Sequence, residues 1–256
     1  MPIETLLKKD IANSIAQIWH CTDVYCVNTI QKNLTVRSFK RNELIYQENE
    51  TPTHILFLVN GMAKIIKECG MGRSQIVRII KEQSFIGFRA FFAHECNSTS
   101  AVALEDSTVA ALPLDTMVEL IELNHGITNY FISELATTLG ETDSRFVTLT
   151  QKHIRGRLAE TILALKANYG IENDGKTLNV IMNRYDLASL SNMSTSNAIR
   201  TLSSFATEGL IEISGRKIKI LNEEELAKIS REVCQNSLIL KKSQSPDFHK
   251  PGLCYV

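Results

Sequence analysis

The sequence predicts an α+β chain: an N-terminal β-roll of jelly-roll type, one long helix, and a C-terminal winged helix-turn-helix. Three observations carry this expectation. Short β-like runs separated by turn residues fill the region from about 34 to 113. A proline-free helical stretch follows from about Thr128 to Leu149. Two short amphipathic helices and an alternating hairpin occupy 183–221. The expected boundaries are 1–125 for a helical lead and the roll, 126–150 for the long helix, 151–225 for the winged unit, and 226–256 for a last helix and a flexible tail.

Composition agrees with this division. A chain of 256 residues has room for about two domains. Its 44% hydrophobic and 22% charged residues suit a globular fold with a sizeable core. No apolar stretch approaches the ~20 residues of a membrane helix. Residues 1–30 carry Asp10 and Asp23 and lack a secretory pattern, so a cytoplasmic protein with no membrane partner is expected. The six cysteines are scattered, and free thiols are expected rather than a disulfide framework. The zero net charge hides an offset. Residues 1–150 hold 13 Lys+Arg against 17 Asp+Glu, and residues 151–256 hold 15 against 11.

In chain order, 1–30 reads as helical. The strands are Thr35–Phe39, Leu44–Tyr46, Ile55–Val59, Ala63–Lys67, Gln75–Ile80, Ser100–Leu104 and Thr108–Leu112, with turns at Asn60-Gly61, Gly70-Met71-Gly72, Gly87 and Glu105–Ser107. Gly70-x-Gly72 is too short for a phosphate-binding fingerprint and reads as a hairpin turn. Pro113 closes the block, and Leu114–Leu123 reads as a short helix.

The long helix carries Phe131, Leu135, Leu139, Phe146 and Leu149, and Leu135, Thr142 and Leu149 sit seven apart. That seam, flanked by Glu134, Glu141, Asp143 and Arg145, predicts lengthwise packing on a second copy, the alternative being a helix laid on its own core. Gly156–Lys166 has Leu158, Ile162 and Leu165 on one face. Residues from about Arg231 onward are expected to hold the last helix.

Asn183 is a candidate N-cap, with Asp186 near the helix dipole. Leu187 and Leu190 give that first helix its apolar side, and Ser191-Asn192-Met193 supplies the turn. Ser194 caps a second helix with Ala198, Ile199, Leu202 and Phe205 as its expected buried stripe. Thr195, Ser196, Asn197, Arg200, Thr201, Ser203 and Ser204 form the other face. Small hydrogen-bonding residues plus one arginine suit a helix lying in the major groove of double-stranded DNA. Leu210–Ile213 and Lys217–Leu221 form a wing around Ser214-Gly215-Arg216, and Arg216, Lys217 and Lys219 are placed to meet phosphates.

Four blocks together resemble the CRP/FNR family of bacterial regulators: Phe57–Lys64, Ser84–Gly87 with Ala103–Ser107, Gly156–Leu163, and Ser194–Arg200 with Glu208–Ile211. The Ser-Asn-Ala-Ile-Arg variant is similar to the Bacteroidetes branch. The resemblance covers about 30 to 225. It implies a cyclic-nucleotide-binding-type roll, a dimerisation helix, and a homodimer that reads a near-palindromic operator as a transcription regulator, with RNA polymerase as a further partner. It places Arg200 at the family's conserved arginine, and Thr195 and Ser196 at positions that read bases. The family often has Glu where Ser196 stands, so a different half-site is expected.

The resemblance also bears on the effector. Members that bind cyclic AMP carry a Glu after the Gly and an Arg-Ser pair some ten residues on. Here Phe88 stands at the Glu position, Arg89 follows it, and Asn97, Ser98 and Thr99 bring no cation. Thr142 matches a residue that touches the base, but Asp143 follows. A buried phosphate would lack its arginine, so cyclic AMP is not the expected effector. Phe85, Phe88, Phe91 and Phe92 read as plain core or as a pocket for an apolar or aromatic effector. Cys21 and Cys26 sit where redox-sensing members hold an iron–sulfur cluster, which needs four thiolates. Cys69 and Cys96 complete a set only if the fold converges them. Pro2 is a single residue shared with haem-binding relatives and carries no haem expectation. His94 reads as a surface-turn residue. The competing function class is a nucleotide-type binding module that regulates a partner protein. No nucleophile–base spacing, H-E-x-x-H or P-loop motif points to an enzyme.

Overall fold

The computed structural model describes residues 3–70 and 74–232. Helices α1 (Ile3–Ile18) and α2 (Val24–Asn33) precede eight strands: β1 (Thr35–Phe39), β2 (Leu44–Tyr46), β3 (His54–Asn60), β4 (Ala63–Glu68), β5 (Ser74–Ile80), β6 (Ser84–Ile86), β7 (Ser100–Ala103) and β8 (Ser107–Pro113), with α3 (Phe88–Ala93) between β6 and β7. They form two antiparallel four-stranded sheets in the orders β1-β8-β3-β6 and β2-β7-β4-β5. Alternation along β3 puts Ile55 and Phe57 toward the helices and Leu56 and Leu58 into the roll. The turn after β3 requires glycine. Gly61 has φ +86°, and a Cβ there would lie 2.4 Å from Ser107 Oγ.

Outside the first sheet, Trp19 stacks on Phe85 at 5.0 Å, and Phe131 meets Phe88 at 5.2 Å and Phe85 at 5.5 Å. This cluster pins α1, α2, α4 (Leu114–Leu123) and the start of α5 (His125–Gln151) to the roll. Phe85 and Phe88 are therefore buried core and not an effector pocket. Phe131 is likewise 1% exposed inside its own chain, which removes it from any dimer seam. The three-residue β6 and the six-residue α3 were not expected as elements.

The winged unit comprises α6 (Ile154–Tyr169), α7 (Arg184–Leu190), α8 (Thr195–Thr207), β9 (Ile211–Ser214), β10 (Lys217–Ile220) and α9 (Glu223–Arg231). The last helix is thus earlier than expected. Asn222 caps it by accepting from Glu225 N, Glu223–Glu225 crowd its first turn, and Leu226 and Ile229 close the winged core. It belongs to the winged unit and crosses the expected boundary at 225. Pro2, residues 71–73, where a hairpin turn was expected, and residues from 233 on, with Cys234 and Cys254, lie outside the described residues.

The two domains touch directly. Helix α7 lies on β5, and Ile76 and Leu104 of the roll share one buried cluster with Leu187 and Leu190. Lys64 Nζ meets Asp186 Oδ1 at 2.8 Å, with side chains only 12% and 1% exposed. Ile76 N donates to Ser189 Oγ at 2.8 Å, and Gln75 Nε2 donates to Ser189 O. From α5, Arg145 Nη2 donates to both Ile76 O (2.9 Å) and Leu190 O (2.7 Å).

Candidate nucleic-acid interface

The first helix of the pair starts as its sequence dictates, since Asn183 Oδ1 accepts from Asp186 N at 2.7 Å. Ser194 Oγ then accepts from Asn197 N at 3.2 Å to open α8. The buried stripe of α8 is Ala198, Thr201, Leu202 and Phe205. Ile199 and Thr201 exchange the places expected of them. Ile199 is 47% exposed and Thr201 is 9% exposed. The open face keeps Ser196, Arg200 and Ser203 exposed, with Thr195 and Asn197 half-buried at its edge. Arg200 Nη2 donates to Asn197 Oδ1 at 2.5 Å, so the cation is held on that face by its own helix.

A residue not anticipated holds α8 in place. Arg155 of α6 donates through both terminal nitrogens to Glu208 (2.9 and 2.6 Å) and to Ser204 Oγ (2.7 Å). Its guanidinium lies 4.9 Å over the Phe205 ring. These hydrogen bonds from Arg155, with one from Ser204, hold the Glu208 carboxyl down at about 2. Nothing local in the sequence signals this clamp, because its partners lie about fifty residues apart. Arg155, Asn197 and Arg200 line one shallow depression beside the reading face.

On the wing, Arg216 is exposed, and Arg184 Nη2 donates to Gly215 O at 2.8 Å to steady the tip. Lys217 is paired with Glu172 at 2.6 and 3.0 Å, and Lys219 with Glu212 at 3.6 Å. A phosphate would have to compete with those carboxylates for either lysine.

The residues matched to a cyclic-nucleotide site do not assemble. Phe88 is turned into the core, and Arg89 is paired with Glu95 at 3.0 Å. Thr99 shares a 3.5 Å contact with the hydroxyl of Tyr46, while Ser98 O accepts from Lys67. Thr142 and Asp143 are exposed on α5, the former bonded to Thr138 O. Gly87 borders a cavity at the end of the roll between β1, β2 and the loop before β3.

On α5 the exposed apolar residues are Ile132, Leu139, Phe146 and Val147. Ile132, Leu139 and Phe146 are seven apart, so the open seam runs through them. Leu135 packs partly on its own core, Leu149 is half-buried, and Thr142 is exposed without being apolar.

Sγ of Cys21, Sγ of Cys26 and a carboxylate oxygen of Asp23 lie within 4.8 Å of one another. Burial pushes both thiols above the ordinary range. Cys69 and Cys96 are exposed and do not join this group, so the described residues bring two thiols together and do not fit a four-thiolate iron–sulfur cluster. His94 caps α3 with φ +54° on the surface. No described helix is long and apolar enough to cross a membrane.

The geometry agrees with known proteins. Residues 36–124 match the cyclic nucleotide-binding domain, and residues 156–229 match the Crp-like helix-turn-helix domain. A CRP-like cAMP-activated global transcriptional regulator of Mycobacterium tuberculosis is 22% identical over 84% of this chain and 97% of its own. The anaerobic regulatory protein of Bacillus subtilis is 24% identical over 79% and 85%. Among solved structures, FixK2 from Bradyrhizobium japonicum superposes with a TM-score of 0.70 at 20% identity, covering 78% of this chain and 99% of that one. With both domains matched in the same order, the chain belongs to the CRP/FNR family of transcription regulators.

Proposed function

We propose that this chain acts as a homodimer that binds a near-palindromic operator through α8 and the wing, with the β-roll setting how the two recognition helices are presented. The observation that carries this reading is the open face of α8. Ser196, Arg200 and Ser203 are exposed on a helix whose other side is locked into a core and clamped by Arg155. Side chains of this kind reach base edges and phosphates when the helix enters the major groove. The heptad of exposed apolar residues on α5 supports pairing with a second copy. Two recognition helices related by that pairing would address half-sites about one turn of DNA apart.

The direct contact between α7 and β5 supports control from the roll. A change in the roll that shifts β4 or β5 must move Asp186 and Ser189 with it. The signal is not cyclic AMP in this reading, because Phe88, buried in the core, stands where the resemblance puts the ribose-holding carboxylate.

The test is selection of genomic fragments by the purified protein, followed by the same selection with Arg200→Ala. The expected result is enrichment of a near-palindrome, with affinity for it falling about five- to 150-fold in the variant, the range of one good base or phosphate contact. Selection without any enriched motif would refute the reading.

A further inference from the structure

The reading helix α8 carries one large apolar residue that its own core does not take in. Ile199 is 47% exposed, in the first half of the helix. At about 100° per residue, Ser196, Ile199 and Ser203 fall within an arc of about 60° and form one ridge. Ile199 sits on that ridge about 4.5 Å beyond Ser196 along the axis. Arg200 is drawn away from it. Asn197 lies on the far side of Arg200 from Ile199, and the hydrogen bond from Arg200 Nη2 to Asn197 Oδ1 holds the guanidinium toward that side. Arg155 closes over Ser204 on the same far side. Ile199 is therefore left open on a ridge whose other members, Ser196 and Ser203, are exposed hydrogen-bonding residues.

We propose that Ile199 is a specificity-determining residue that reads the C5-methyl group of a thymine in the operator half-site. The inference rests on the DNA-binding reading above and deepens it. The thymine methyl is the apolar group that base edges offer in the major groove, and an isoleucine side chain has no donor or acceptor with which to read anything else. The hydroxyls of Ser196 and Ser203 can donate or accept, so they tolerate more than one base, while an arginine such as Arg200 selects guanine. Ile199 adds a discrimination that these neighbours lack. Against thymine it removes apolar surface of both partners from water. Against cytosine it would meet the N4 amino group and strip it of water without returning a hydrogen bond. The half-site is therefore expected to hold one thymine that cytosine does not replace.

Selection of genomic fragments by the full-length protein supplies the operator. Each thymine of a half-site is then replaced in turn by deoxyuridine, which removes the methyl and keeps every hydrogen-bonding group. Binding followed by fluorescence anisotropy at fixed salt is expected to weaken about fourfold at one thymine per half-site, the worth of one buried methyl, and about 15-fold when its symmetry mate is replaced as well. Ile199→Ala should weaken binding to the thymine operator by at least that factor and should bind the thymine and deoxyuridine operators equally. Ile199→Val, which keeps the branched body, should retain part of the deoxyuridine effect. The unfolding temperature of both variants should stay close to that of the unaltered chain, because the side chain is open to solvent. An operator whose thymines all tolerate deoxyuridine, or a deoxyuridine effect as large in Ile199→Ala as in the unaltered chain, would overturn the inference. Absence of any enriched operator would overturn the DNA-binding reading and this inference with it, so the two failures are distinguishable.

Discussion

The contact between Lys64 and Asp186 offers the sharpest test of how the two domains are joined. It is an ion pair at 2.8 Å between the roll and the first helix of the DNA-reading pair, with Asp186 1% exposed. Removing one partner of a buried pair costs about 3–5 kcal/mol when the other charge stays buried. Two features lower that here. Asn183 Nδ2 also donates to Asp186 Oδ2 at 2.8 Å, and Asp186 lies in the first turn of α7, where the helix dipole favours it. Moreover, the domains can part and rehydrate the carboxylate, which caps the loss at the free energy of docking. Lys64→Met is therefore expected to weaken docking by about 2–3 kcal/mol, and Lys64→Met with Asp186→Asn by less, since no orphan charge remains. The double-mutant cycle should give a coupling of about 1.5–3 kcal/mol. The assay is hydrogen exchange of α7 and β5 amides in each variant, with the Ile76 amide as the central probe because it donates across the interface. Unchanged protection at Ile76 in Lys64→Met, or a coupling below about 0.5 kcal/mol, would refute the claim that this pair holds the domains together.

Three further outcomes are expected. Leu139→Glu or Phe146→Glu on α5 should convert the dimer to a folded monomer in analytical ultracentrifugation, because each is exposed within one chain and lies on the open seam; Phe131→Glu should instead unfold the roll. Arg216→Ala should weaken binding to all DNA sequences alike and lower the slope of log K against log salt by about one, as expected for a single phosphate contact. Finally, the Glu208 carboxyl titrates at about 2 in the folded chain against an ordinary value of 4.5. A depressed folded-state value means its contribution is complete above 4.5 and is lost as pH falls toward 2. Acid titration of the winged unit should therefore show a loss of stability in that window that Glu208→Gln lacks.

Strands β1 and β2 were legible to the residue, because alternation and turn residues are local signals. So were the caps at Asn183 and Ser194, where a side chain reaches only three residues along the chain. Legibility failed where geometry is set from afar. On α5, Leu135 and Leu139 both read as seam residues. The packing of Phe131 on Phe88 turns the helix so that Ile132, Leu139 and Phe146 face out, about 60° from the stripe through Leu135 and Leu149. On α8, Ile199 and Thr201 are two positions apart, and hydropathy alone assigns them to the wrong sides; the approach of α6 decides. The Arg155 clamp and the Lys64–Asp186 pair join residues that no short window contains.

The placement of Ile76 bears on how a signal would travel. Its N–H is held by Ser189 of α7, its carbonyl by Arg145 of α5, and its side chain lies in the winged core. The same guanidinium nitrogen of Arg145 also holds Leu190 O, at the last residue of α7. The roll, α5 and the α7–α8 pair therefore meet at one residue of one strand. That strand is the edge of its sheet, so separating α7 from it would expose an unpaired edge as well as an apolar cluster. Both costs favour the docked arrangement in the absence of a signal. An effector in the roll can shift the recognition helices only by as much as it prefers one position of β5 over another. In the proposed dimer, a turn of α5 would act on the same atoms from the other side through Arg145. Control by ligand and control by dimer geometry are thus expected to be coupled rather than additive, because both act through the backbone of Ile76.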